Sequence, residues 1–263
     1  MSTVLTTPKK SRPPKEDPFR YGWRFIKVTT PEGDEIERQV PLTEEDVLHP
    51  LEGDFIVNTE VHDQIVSYLK LAMQSPYVER PDIVVIGNMR VDWGSKLGWA
   101  HGPDVAVFSG VRGTWSARQG TFYPAKLKAK PLLVIEATSP STRGNDFGYK
   151  LREYYQVGVI VYVIIDIPYD GEFGDIQLFG YQAGKAQYEA LPKDDKGRLW
   201  LEAVRLWLGV EGSDVYLDDA EGSRLPDYNE LVRQNRQMAR KVRELEAKLA
   251  RRSNGKRRNH GTH

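Results

Sequence analysis

The sequence predicts an α/β fold on a mixed sheet, with the element order α-β-β-β-α-β. Three observations carry this. Apolar residues recur at helical spacing over 59–73. Three short runs rich in β-branched residues follow, separated by Gly- and Pro-containing loops. A second helical stretch then leads into Val159–Ile165, an almost wholly apolar run of the kind a strand buried on both faces shows.

Residues 1–18 hold Pro8, Pro13, Pro14 and Pro18 with several charges and few apolar side chains, so a disordered tail is expected there. Trp23–Thr29 alternates as a short strand does and ends at the turn-forming Pro31-Glu-Gly-Asp34. Residues 50–57 read as a loop. Asn58 or Thr59 can cap the first helix, with Glu60 in its first turn; Val61, Ile65, Leu69 and Ala72 form the expected buried stripe, and Pro76 ends it. The strand candidates are Ile83–Met89, Val105–Phe108 and Leu132–Ala137. The second helix is expected from Asp146 to Val157, with Phe147, Lys150, Leu151 and Tyr154 on one side and Gly158 just past its end, where a left-handed residue is wanted. The stretch from 132 to 165 should therefore be a right-handed parallel crossover. Residues 176–218 read as further antiparallel strands, with a hairpin around Ala183-Gly184-Lys185.

Residues 226–250 have a different period. Tyr228, Leu231, Asn235, Met238, Val242, Leu245 and Leu249 are spaced by threes and fours, an a/d seam with Asn235 at an a position. Such a seam serves either a two-stranded coiled coil or an amphipathic helix docked on its own domain. The expected organisation is a tail over 1–18, a domain over 19–225, a basic heptad helix over 226–252 and a fraying basic tail over 253–263.

Composition narrows the chemistry. Cysteine is absent, which excludes a disulfide scaffold, thiolate-ligated zinc, an iron–sulfur cluster and a thiol nucleophile. The five histidines form no HxxxH or HExxH pair, and there is no Walker loop, no GxGxxG after a strand and no GxSxG elbow. The polar first fifteen residues lack the apolar centre of a secretory signal, and no apolar run is long enough to span a bilayer. A cytoplasmic protein with no membrane partner is the expectation. Charge balances overall, yet residues 231–263 carry eleven Lys and Arg against Glu244 and Glu246. That basic end is either a solvated helix face or a source of salt-sensitive attraction to nucleic-acid phosphates.

The strand carboxylates stand out. Asp104 opens an apolar strand, and Glu136 interrupts Leu132-Leu-Val-Ile135. A carboxylate inside an apolar strand is costly unless it is paired or binds a cation. Period-two alternation puts Glu136 on the side of Val134 and Thr138. Lys150 lies on the helix that crosses back over the sheet. Two carboxylates on neighbouring strands and an ammonium fit a Mg²⁺ site with a positioned water; the alternative is a set of structural ion pairs with Lys150 or Arg143.

The stretch Pro131-Leu-Leu-Val-Ile-Glu136-Ala-Thr-Ser139-Pro140-Ser-Thr142-Arg143, continued through Asp146, Lys150, Tyr154, Gly158-Val159, Tyr162 and Ile165-Asp166, closely resembles the Uma2-like restriction endonuclease family. Gly102-Pro103-Asp104-Val105-Ala106-Val107 resembles that family's Pro-Asp motif, and the likeness covers roughly 40–215. The resemblance implies a PD-(D/E)XK restriction-endonuclease-like core of the same α-β-β-β-α-β order. It implies a metal-dependent endonuclease that hydrolyses phosphodiester bonds of DNA with Mg²⁺ or Mn²⁺. Asp104 and Glu136 match the metal-ligating carboxylates, with the backbone carbonyl of Ala137 a further ligand. The superfamily's lysine usually lies two residues after that Glu; Thr138 stands there in this chain, and Lys150 takes the role. Glu60, Thr138 and Tyr154 are outer-shell candidates. Arg143 and Asp146 match motif positions and are expected to order the helix entry; Arg143 and the basic C-terminal tail are also candidate nucleic-acid contacts. A homodimer is expected. The competing function is a catalytically inactive nuclease fold that binds nucleic acid or dimerises.

Overall fold

The computed structural model describes residues 17–94, 100–139, 142–168 and 174–258, with side chains as far as Leu249. Its centre is a six-stranded sheet whose spatial order follows the chain: β1 (Val84–Gly87), β2 (Val105–Ser109), β3 (Lys130–Ala137), β4 (Val161–Asp166), β5 (Gln177–Ala183) and β6 (Tyr188–Ala190). β3 and β4 are parallel, and every other neighbouring pair is antiparallel. With helix α1 (Glu60–Gln74) before β1, and helices α2 (Arg143–Phe147) and α3 (Tyr149–Gln156) between β3 and β4, the expected α-β-β-β-α-β order is the observed one. The expected hairpin is β5–β6, closed by a hydrogen bond from Gly184 N–H to the Gln187 carbonyl (2.9 Å).

Alternation along β2, β3 and β4 divides the core in two. Val105, Val107, Leu133, Ile135, Val161, Val163 and Ile165 pack with Ile65, Val66, Leu69 and Met73 of α1 and with a small sheet over 199–218. Ala106, Phe108, Val134, Tyr162 and Ile164 pack on the other face with Tyr154 of α3, Trp93 and Phe122. Both faces of the sheet are covered, which is why β4 carries no charged side chain before Asp166.

Several details differ from the sequence expectation. Thr59 caps α1 by accepting from the His62 N–H, and Ile65, Leu69 and Ala72 are buried as expected, but Val61 is exposed and His62, Val66 and Met73 face inward beside them. α1 ends at Gln74, as Pro76 leads one to expect, and the chain runs on through that proline as a 3₁₀ turn, Ser75–Tyr77, because proline at the start of a turn loses no hydrogen bond. The second helix is two helices. They meet at Gly148, where a Cβ would lie 2.8 Å from the Gly144 carbonyl oxygen, so the chain bends where no side chain fits. The charged strand Glu35–Pro41 pairs with Gly22–Thr29 although most of its side chains are exposed. Thr43 and Asp46 form a capping box for a short helix, Glu44–Leu48, inside a stretch with little apolar periodicity.

Helix α4 (Tyr228–Arg258) starts from another capping box: Asp227 Oδ1 accepts from Glu230 N–H (2.7 Å), and Glu230 Oε2 accepts from Asp227 N–H (3.2 Å). It runs past the expected boundary at 252, so residues 253–258 are helical. It does not dock on its own domain: past Val232, every side chain to Leu249 is exposed. Of the two expected tails, residues 1–16 and 259–263 lie outside the described residues. No described helix is long and apolar enough to cross a membrane.

Candidate metal and nuclease site

The site begins with strand register. Antiparallel pairing of Val105 with Ile135 sets Asp104 directly opposite Glu136. Both side chains leave the sheet toward α3, where Lys150 and Tyr154 sit one turn apart. Lys150 Nζ lies 3.1 Å from Glu136 Oε1 and 2.8 Å from Asp146 Oδ1. Tyr154 donates its hydroxyl to the same Glu136 Oε1 at 2.5 Å. Asp104 Oδ2 accepts from the Ala137 N–H (2.8 Å) and lies 3.1 Å from His62 Nε2.

Each carboxylate thus has one oxygen held by the protein. Among the described residues, Asp104 Oδ1 and Glu136 Oε2 have no hydrogen-bond partner. A residue's N–H and C=O leave a strand on the same edge, so the Ala137 carbonyl faces the edge on which its N–H meets Asp104. These residues end a cavity of about 400 Å³, lined at the site by Asp104, Glu136, Lys150 and His62 and, farther out, by the 50–56 segment and Asn88–Arg90.

Electrostatics point the same way. Three carboxylates (Asp104, Glu136, Asp146) surround one ammonium, and Glu136, Asp146 and Lys150 are buried. Burial, reinforced by the charges of Asp104 and Asp146 and opposed by Lys150, pushes Glu136 up to about 8. Burial raises Asp146 as well, against the pull of Lys150. Burial would lower Lys150, but Asp146, Glu136 and Asp104 overcome it and hold the ammonium above its ordinary range. At His62, burial is likewise outweighed by Asp104 and Asp63, so its imidazole is raised. The cluster sets three acidic groups against one ammonium, and its ligand-type atoms toward the cavity are carboxylate oxygens, the donors that a hard divalent cation takes.

The other expected residues divide. Tyr154 joins the site through Glu136. Glu60 does not: its side chain is exposed and accepts from Gln64 Nε2 (3.0 Å), while His62 on the same helix faces inward. Thr138 also stays out of the cavity. Past the end of β3 its hydroxyl turns to Asp166 Oδ1 (3.1 Å) and accepts from the Ile167 N–H (2.9 Å). Thr138→Val is therefore expected to cost about 1–3 kcal/mol in urea unfolding, the usual effect of stranding a buried donor, and to leave calorimetric Mn²⁺ affinity unchanged; a loss of affinity at wild-type stability would return Thr138 to the site. Arg143 holds Asp166 through two hydrogen bonds of 2.8 Å, with its side chain half exposed.

His62, one turn into a capped helix, reads from sequence as structural or as a polar neighbour of a site, and the structure makes it the neighbour of Asp104. Asp146 matched a motif position and stands four residues before Lys150, the spacing at which an acid and a base meet on a helix, so the pair had a sequence signal although its burial did not.

A second cluster lies behind the site. His49, His101 and Glu153 bring ligand-type atoms within 4.8 Å of one another. Trp93 Nε1–H donates to His101 Nδ1 (2.8 Å), which leaves the ring proton on Nε2, 2.8 Å from Glu153 Oε2. Burial keeps that imidazole neutral. Both ring nitrogens of His101 are thus engaged, and the ring offers no free lone pair. The Asp104–Glu136 pair fits a cation better.

The family model described as "Uma2: Putative restriction endonuclease" matches residues 38–211. A crystal structure of a putative nuclease belonging to DUF820 from Anabaena variabilis ATCC 29413 is similar at 18% identity with a TM-score of 0.41, over 59% of this chain and 82% of that one. No curated protein matches. With the family's model spanning well over half of its length, this chain belongs to the Uma2 family of restriction-endonuclease-type proteins.

Proposed function

We propose that the protein is a divalent-metal-dependent DNA endonuclease that works as a homodimer in the cytoplasm. The observation that supports this best is the convergence of Asp104, Glu136 and Lys150, from three separate elements, at one end of one cavity. Asp104 Oδ1, Glu136 Oε2 and the Ala137 carbonyl would hold Mg²⁺ or Mn²⁺. When bound, such an ion polarises a phosphate oxygen and lowers the pKa of its water.

The chain's own residues do the rest. Ala137 N–H and His62 fix one oxygen of Asp104, which aims the other at the cavity. Tyr154 does the same for Glu136. Lys150, held protonated between Glu136 and Asp146, presents positive charge where an attacked phosphate gains negative charge, and does so without reorganisation. The half-exposed Arg143 and the arginines of α4 are the proposed contacts to phosphates away from the site.

The test is a supercoiled plasmid incubated with protein and Mg²⁺ or Mn²⁺, against EDTA and Glu136→Ala controls. Metal-dependent nicking that the variant lacks is the expected result. DNA binding with no cleavage under any of these conditions would instead support the inactive nuclease-fold reading.

A further inference from the structure

We propose that α4 pairs with the same helix of a second copy as a parallel, in-register two-stranded coiled coil, and that this joins two nuclease cores at one end of the pair so that both act on one DNA molecule. The first part stands on the helix alone; the second rests on the nuclease function proposed above.

The helix presents a stripe with nothing on it. Tyr228, Leu231, Met238, Val242, Leu245 and Leu249 are 42–69% exposed, and all fall at a or d positions of one register. The stripe ends where Arg252 takes the next d position and Lys256 the next a. Thirty-one residues extend about 46 Å at 1.5 Å per residue. In a single copy this helix buries almost no apolar surface past Val232, although tertiary packing is what usually stabilises helices in proteins.

Charge and polarity select the occupant. In a parallel in-register pair, Asn235 meets its own copy, where two amides satisfy each other and fix the register. Lys241 at a g position then faces Glu246 of the partner subunit at the following e position, an attractive pair formed twice by symmetry. The antiparallel alignment that overlaps the full seam sets Asn235 against Leu245 of the partner subunit and brings the two Lys241 side chains together. It loses an amide partner and gains a like-charge contact. The parallel pair also leaves Arg233, Arg236, Arg240 and Arg243 at b and f positions on its outer faces, free to meet phosphates.

A parallel pair has its two-fold axis along the helices, so both cores lie at the Tyr228 end. Each is tied there through residues 219–227, which are held to the core by the hydrogen bond from Tyr68 Oη to the Leu225 carbonyl (3.1 Å). Two cavities held on one short assembly meet a bound DNA at high effective concentration.

Because the natural chain lacks cysteine, a single introduced thiol reports its neighbour. Full-length Leu231→Cys and Leu249→Cys proteins, oxidised separately, are each expected to form self-linked dimers. Linking only when the two are mixed would show the antiparallel arrangement, and no linking would show an unpaired helix; either overturns the proposal. Light scattering should give twice the 30.0 kDa chain mass, halved by Leu245→Asp. Glu246→Lys should weaken the pair, and Lys241→Glu with Glu246→Lys should restore it. On plasmid, the wild-type dimer should yield linear DNA early, whereas Leu245→Asp should yield mainly nicked circles with the same metal dependence. An unchanged linear-to-nicked ratio in the monomeric variant overturns the joint action. Cross-links without any cleavage would sink the nuclease function and leave the pairing intact; cleavage without cross-links does the reverse.

Discussion

Lys150→Met is expected to lower metal-dependent plasmid cleavage by about 10²- to 10³-fold, the usual cost of removing one preorganised donor from a charge-stabilising site. Methionine keeps most of the stem's packing on α3 and deletes the charge. The same change should destabilise the metal-free protein, because Glu136 and Asp146 lose the ammonium that lies 3.1 and 2.8 Å from them. Breaking a buried ion pair from one side costs about 3–5 kcal/mol. Urea unfolding measures that loss, and a second substitution separates the two roles. Lys150→Met with Asp146→Asn should regain most of the stability, since the stranded charge is gone, and none of the cleavage. A Lys150→Met protein that cuts at the wild-type rate would reduce Lys150 to a structural partner of Asp146.

The second large effect is a stability that falls as pH rises, and that metal restores. Glu136 is raised from an ordinary 4.5 to about 8 in the folded protein. Below about 4.5 it is protonated whether the chain is folded or not. Between there and about 8 the unfolded chain has released this proton while the folded one retains it, so stability declines across that window and levels off above it. Lys150, raised above its ordinary range, stays charged throughout and adds no slope. His62, also raised, loses stability in the same direction near neutrality, whereas His101, lowered by burial, gains it as pH rises toward 6.5. The difference between wild type and Glu136→Gln isolates the carboxyl. Each tenfold change in proton affinity between the folded and unfolded chain is worth about 1.36 kcal/mol, so the carboxyl contributes a few kcal/mol. Thermal unfolding between about pH 5 and 9, a range that brackets the titration, should show wild type losing stability relative to Glu136→Gln as pH rises. Added Mg²⁺ or Mn²⁺ should recover the loss at about pH 8 in wild type alone. A wild-type curve parallel to that of Glu136→Gln, with no response to metal, would mean that this carboxyl neither carries the burial strain nor meets a cation.

What could be read in advance follows a physical division. The β-branched runs, the caps at Thr59 and the glycine after α3 are local, and each matched an element within a few residues. The carboxylates at 104 and 136 were legible because an acid in an apolar run is costly wherever the strand lies. At the start of α1, which of Val61 and His62 faces inward was not legible. Val61 and His62 are neighbours, and a stripe drawn through Val61 matches the helical period almost as well as one through His62. Packing against β2 and β3, and the contact of His62 with Asp104, chose between them. Thr138 shows the same limit: alternation holds only while the strand lasts, and past Ala137 the chain turns its hydroxyl to Asp166.

The sequence by itself determined the order of elements, the identity of the acidic and basic groups and the heptad seam of α4, because periodicity and local propensity act over a few residues. Only the tertiary structure decided that Asp104 faces Glu136, that Lys150 reaches Glu136 and that the seam is left bare. Those outcomes depend on strand register, on how α3 crosses the sheet and on which surfaces the core has already covered. Each is settled by summed packing between segments far apart in the chain, which no short window of residues contains.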